Sequence, residues 1–124
     1  MDFVASLTQT LADAHVFKAS TFKLIYTDQV IGYTLIYPFE KEGLKYVNIV
    51  RLAIDKDHQG QGLGKKALYE IIDWIKREYE VDKIKITVEP ENTVAKSLYE
   101  KMGFILTDTS GKEWALYMDI KKSE

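Results

Sequence analysis

Three glycines, Gly60, Gly62 and Gly64, stand at alternate positions in the stretch RLAIDKDHQGQGLGKKALYEIIDWI, which runs from Arg51 to Ile75. They fall between a strand-like run and a helix-like run. In such a place several successive backbone N–H groups can point at one spot with no Cβ in the way. The helix N-terminus adds a partial positive charge, so a phosphate or pyrophosphate gains hydrogen bonds and a favourable dipole together. A plain strand-to-helix connection usually needs one glycine, and the triplet therefore favours anion binding over a simple turn.

Two other glycine-loop chemistries can be tested against the spacing. A P-loop requires Ser or Thr after the lysine that follows its last glycine, whereas Gly64 is followed by Lys65 and Lys66. A dinucleotide fingerprint is nominally matched by Gly62, Gly64 and Ala67, but DKDHQ separates the loop from its strand and the preceding strands read as antiparallel. A nicotinamide-binding domain is thus the weaker reading. The chain has no cysteine, which removes disulfides, thiolate nucleophiles and thiolate metal sites together. His15 and His58 show neither metal nor triad spacing and read as surface residues, so no metal is expected.

The elements that must position the loop follow from patterning. A chain of 124 residues is long enough for one compact domain with a single core. Its net charge of -2 offers no basic footprint for a nucleic-acid backbone. The N-terminus MDFVASLTQTLADAH lacks a basic region followed by an apolar block, and no run approaches the roughly 18 to 20 apolar residues of a membrane span. A soluble, cytoplasmic protein without membrane or nucleic-acid partners is expected.

Phe3, Leu7 and Leu11 recur every fourth place in FVASLTQTLADA and predict a short amphipathic helix. FKLIYTDQVIGYTLIYPFE reads as two strands around Thr27, Asp28 and Gln29, and LKYVNIVRLAI follows the EKEG turn, giving an antiparallel meander. Pro38 and Pro90 fall where extended segments should end. From Lys65 onward Leu68, Ile71, Ile72, Ile75 and Tyr79 share a helical face. KIKITVEP is a further strand, expected to run parallel to the one before the glycines. Asn92 sits at an N-cap position, Ala95, Leu98, Tyr99 and Met102 form a second helical face, and Gly103 ends it. FILTDTSGKEWALYMDI reads as a hairpin around Ser110, Gly111 and Lys112. The sum is an α/β (α+β) domain with a mixed sheet.

With these residues in place the sequence resembles the GNAT N-acetyltransferases. Gln59-Gly60-Gln61-Gly62-Leu63-Gly64 matches that family's acyl-CoA pyrophosphate loop, VRLAID looks like its fourth strand, and VEPENTVAKSLYEKMGF looks like its fifth strand and following helix. The resemblance runs in order from Phe22 to Ile120 and implies a mostly antiparallel sheet flanked by helices, with a splayed parallel strand pair holding acetyl-CoA. It implies that backbone around Leu52 and Ile54 pairs with the pantetheine arm, and that the amides of Gln59, Gly60, Gln61, Gly62, Leu63 and Gly64, with Lys65 nearby, hold the pyrophosphate. Asn92 would help orient the cosubstrate and Tyr99 would face the sulfur.

The reaction so implied is direct transfer of an acetyl group from acetyl-CoA to an amine. An amine with the pKa of lysine costs ~4.6 kcal/mol to deprotonate at pH 7, so a base or a water chain is expected. The departing thiolate needs a proton, which a tyrosine hydroxyl can give while staying protonated beforehand. Tyr99 is accordingly the expected general acid. Many family members place a Glu on the fourth strand, but KYVNIVRLAID carries no carboxylate until Asp55. Glu89 is the expected base candidate, with Glu40 and Glu42 read as a solvated turn that could act only through water. Arg51, a charge in an apolar strand, either pairs with a carboxylate or faces solvent.

FVASLTQTLADA, IDKDHQGQGLGKKAL and VEPENTVAKSLYEKMGF together resemble bacterial spermine/spermidine N-acetyltransferases, which implies a small amine partner of the polyamine kind. The family also usually opens with a strand and a first helix ahead of the region matching FVASL. Their lack would expose a sheet edge that invites pairing with another chain, a possible homodimer. It keeps open a CoA-binding module that does not acetylate.

Overall fold

The computed structural model describes residues 3–9, as backbone, and residues 20–120. Among the described residues seven strands form one sheet in the order β1-β2-β3-β4-β5-β7-β6. β1 (Phe3–Gln9), β2 (Ser20–Tyr26), β3 (Gln29–Lys41) and β4 (Leu44–Ile54) pair antiparallel in sequence order. α1 (Leu63–Glu78) then crosses back to β5 (Lys83–Val88), which runs parallel to β4. α2 (Thr93–Lys101) leads into the hairpin of β6 (Ile105–Asp108) and β7 (Trp114–Asp119), and β7 pairs antiparallel with β5. The mixed, mostly antiparallel sheet with one parallel pair is the architecture expected from the sequence.

One element differs. Phe3–Gln9 is a strand, not the helix that Phe3, Leu7 and Leu11 suggest, and it pairs with β2 from Phe3↔Tyr26 to Gln9↔Ser20. FVASLTQ fits a period of two as well as a period of four, and an available sheet edge decides between them. Leu11 and the rest of that stretch lie outside the described residues, as does His15. Pro38 also departs from expectation, since it lies inside β3 opposite Val47. β2 stops opposite Ile36, so Pro38 stands where β3 has lost that neighbour and a missing N–H is tolerated.

Tight turns set the meander. Thr27 and Asp28 link β2 to β3 with φ of 48° and 65°, and Glu42 and Gly43 link β3 to β4 with φ of 53° and 80°. Both pairs are left-handed, the geometry that matches the twist of a two-residue hairpin. α1 lays Leu68, Ile71, Ile72 and Ile75 on a sheet face that carries Ile36, Val47, Ile49, Ile84 and Ile86, all buried. Each such side chain contributes about 1.5–3 kcal/mol of transfer free energy. Phe22 and Trp74 meet edge to face at 4.6 Å and close the outer end of this core.

Candidate active site

β4 and β5 form a V. At the closed end the N–H of Lys45 donates to Asp82 Oδ2 at 2.8 Å and the N–H of Asp82 donates to the Lys45 carbonyl at 2.7 Å. The strands stay paired from Tyr46↔Lys83 to Ile49↔Ile86 and no further. The β3–β4 register jumps from Ile36↔Ile49 to Leu35↔Arg51, so Val50 is an extra residue, a bulge that turns β4 away from β5. Thr34 holds the far side of the bulge, its Oγ1 donating to the Arg51 carbonyl at 2.8 Å. A Cβ on Gly32 would overlap the Ala53 carbonyl oxygen, so only glycine lets β3 follow β4 to its end. β4 beyond Ile49 thus has an edge that β5 does not use, and Leu52 and Ile54 lie on it.

The glycine loop is fastened to that edge. Gln59 Nε2 donates to the Ile54 carbonyl at 2.9 Å, across a 3₁₀ turn at Lys56–His58. His58 is half-buried rather than a free surface residue: Nε2 lies 3.2 Å from Gln29 Oε1, and Nδ1 lies 3.4 Å from Asp55 Oδ2. Gly60 and Gly62 have φ of 79° and 75°, which L side chains rarely adopt, and no side chain caps α1. Gly64 has ordinary φ; its missing side chain instead leaves room beside Ile54. Leu63, only 3% exposed, anchors the loop in the core.

α2 supplies the facing wall. Asn92 caps it, its Oδ1 accepting from the Ala95 N–H at 3.2 Å. Between this helix and the loop lie two adjoining cavities. An inner one of about 340 Å³ is lined by Leu52, Ile54, Gln59, Gly60, Gly64, Asn92, Val94, Ala95, Leu98 and Tyr99. An outer one of about 790 Å³ is lined by Gly60, Gly62, Gly64, Lys65, Thr93, Val94, Ser97, Leu98 and Lys101. Both volumes suit a small-molecule site. Most residues singled out from the sequence therefore converge here, whereas Gln61, Leu63 and Glu89 line neither cavity. Sequence reading missed Thr93, Ser97 and Lys101, although their spacing of four puts them on one helix face. It also missed Val94, which is 82% exposed at the mouth of both cavities.

Tyr99 is 7% exposed and packs edge to face on Phe104 at 6.2 Å. Burial pushes its hydroxyl above the ordinary tyrosine range, because the phenolate would lose its hydration. It therefore holds its proton at neutral pH and can donate one to an anion formed beside it. Glu89 is exposed just after β5, where its carbonyl accepts from the Asn92 N–H at 2.9 Å. Glu40 and Glu42 lie at the other end of β4, Glu40 facing Lys45 across the ladder. Arg51 lies six positions along the strand from Lys45, roughly 20 Å. Arg51 is exposed. Among the described residues no cluster of three His, Asp or Glu could hold a metal ion, and no helix is long and apolar enough to cross a membrane.

Comparison with known proteins gives the family and the fold. A probable spermine N(1)-acetyltransferase of Bacillus subtilis subsp. natto is 31% identical over 111 residues, 84% of this chain and 72% of the relative. The spermine/spermidine N(1)-acetyltransferase of Bacillus subtilis is 30% identical over the same shares. A GNAT family acetyltransferase from Elizabethkingia anophelis with acetyl-CoA bound superposes with a TM-score of 0.72 at 23% identity, covering 91% of this chain and 84% of that one. A Bacillus subtilis acetyltransferase in complex with CoA reaches a TM-score of 0.78 at 17% identity, covering 97% and 100%; at such identities the likeness is one of fold. The model of the acetyltransferase (GNAT) family matches residues 5–104, and the chain belongs to that family.

Proposed function

We propose that this acetyltransferase transfers the acetyl group of acetyl-CoA directly to a primary amine, with a polyamine such as spermidine or spermine as acceptor. The observation that carries the reading is the meeting, in one cleft, of an open β4 edge, a left-handed glycine loop at a helix N-terminus, and a buried protonated tyrosine. Leu52 and Ile54 offer backbone groups to an amide-bearing arm. The N–H groups from Gln59 to Gly64, with Lys65 and Lys101 beside them, suit a pyrophosphate. Asn92, whose Oδ1 is taken by its cap, has its amide NH₂ to offer.

As the amine lone pair forms the C–N bond, the C–S bond breaks and the sulfur leaves as thiolate. The amine attacks as the neutral form, its ammonium proton having passed to water with the exposed Glu89 carboxylate as eventual acceptor; Tyr99 gives the thiolate a proton and regains one, through water, from the acylated nitrogen. Polyamine preference draws on the relatives named spermine and spermidine acetyltransferases. One observation favours a second reading, cosubstrate binding without transfer: neither cavity is lined by a carboxylate among the described residues. Mass spectrometry of a polyamine incubated with protein and acetyl-CoA separates the two. An N-acetylated product supports transfer, and an unchanged polyamine contradicts it.

A further inference from the structure

Asn48 lies one residue before the end of the β4–β5 pairing, opposite Tyr37 on β3 and Lys85 on β5. Its neighbours Val47 and Ile49 are 1% and 0% exposed and point into the core under α1, so strand alternation puts the Asn48 side chain on the other sheet face. Its Oδ1 is buried, yet among the described residues no hydrogen bond reaches it. A buried acceptor without a donor carries a desolvation cost that an apolar residue at the same place would avoid. An asparagine at this place is accounted for by a donor that arrives with a ligand.

The place of this oxygen says which ligand. The cleft holding Leu52, Ile54 and Tyr99 reaches the fork from the face that the helices cover. An acyl group brought along the open edge of β4 presents its carbonyl at the fork, and an incoming nucleophile needs the side that α1, α2 and the cosubstrate leave clear. There the last polar group that β4 contributes before the bulge is Asn48. On the same face Tyr37, Phe39, Tyr46 and Tyr117 follow one another at centroid distances of 5.8, 4.8 and 6.0 Å. Aromatic faces next to a carbonyl oxygen suit a polyamine, whose other ammonium groups lie against the rings while its reacting nitrogen, once neutral, keeps an N–H for the oxygen.

We propose that Asn48 positions the acceptor amine, its Oδ1 accepting an N–H hydrogen bond that turns the nitrogen lone pair toward the thioester carbonyl. The inference rests on the acetyl-transfer reading. A neutral amide takes up no proton, so Asn48 orients the amine without acting as its base.

The test compares Asn48→Leu and Asn48→Asp with the parent, reading amine KM, the pH profile of transfer, and the rise in Tm caused by acetyl-CoA. Asn48→Leu should raise the amine KM about tenfold or more while leaving the acetyl-CoA effect on Tm unchanged. Asn48→Asp keeps an acceptor oxygen and adds a group able to take the proton, so its amine KM should stay within a few-fold and its pH profile should move to lower pH. An unchanged amine KM in Asn48→Leu overturns the assignment. If that variant does not fold, an Asn48→Asp protein with the parent's pH profile overturns it equally. A parent protein that transfers to no amine, although acetyl-CoA still raises its Tm, removes the transfer reading and this assignment with it.

Discussion

Thr34 and Arg51 are tied across the β3–β4 ladder by a single hydrogen bond, from the buried Thr34 hydroxyl to the Arg51 carbonyl at 2.8 Å, directly beyond the bulge at Val50. That bond holds β4 on the path that opens its edge. Thr34→Val keeps the shape and removes the donor, which should cost about 1 kcal/mol of stability in urea unfolding. Affinity for acetyl-CoA should fall as well. A loss of stability with unchanged affinity would show that the bulge does not need this support.

Gly62 has nothing near its missing side chain, so Gly62→Ala acts through backbone conformation alone. An L-residue held at its φ of 75° loses about 1–2 kcal/mol, read as a lower unfolding midpoint. Gly64→Ala, at ordinary φ, should leave the midpoint nearly unchanged and reduce acetyl-CoA binding by narrowing both cavities. Equal midpoints for the two variants would contradict this division of labour.

Tyr99→Phe should lower kcat by about 10² or more with little change in acetyl-CoA binding, the expected loss for a positioned general acid. Burial raises the Tyr99 pKa, so the protonated donor is intact below the ordinary tyrosine range and is lost only as pH rises through the higher folded value. The alkaline decline due to Tyr99 should therefore lie above about pH 10 and be missing from the phenylalanine variant. A decline centred near pH 8 that survives Tyr99→Phe would assign it elsewhere.

Lys65 and Lys101 flank the outer cavity from two helices and are both exposed. Exposed charges contribute modestly and are screened, so Lys65→Ala or Lys101→Ala should weaken acetyl-CoA binding a few-fold in low salt. In about 1 M salt, where the Debye length is about 3 Å, the difference from the parent should largely vanish. Persistence of the full effect would mean that the lysines act through directed hydrogen bonds.

Much of this site was legible because its chemistry is local. Gly60 and Gly62 announce left-handed backbone, Asn92 announces a cap, and the four-residue spacing of α1 announces its buried face, each through interactions within a few residues. The β4–β5 fork was legible only through family resemblance, because the bulge at Val50 exists in the pairing of β4 with β3 and has no local mark. Phe3–Gln9 failed for the same reason: its strand depends on β2, more than ten residues away, while Phe3, Leu7 and Leu11 satisfy a helix on their own. Glu89 is a base candidate by its place at the end of the fifth strand, and the structure leaves it exposed outside both cavities. Asn48 has no mark in the sequence, because a lone asparagine in a strand says nothing until its oxygen proves buried and unmet among the described residues.

Release of free thiol from acetyl-CoA, measured with and without spermidine and beside a panel of other amines, tests acetyl transfer most directly. The account predicts release that depends on an amine, is strongest with the polyamine, and is lost in Tyr99→Phe. No release with any amine, while acetyl-CoA still raises the Tm, would contradict it and leave a protein that binds the cosubstrate without using it.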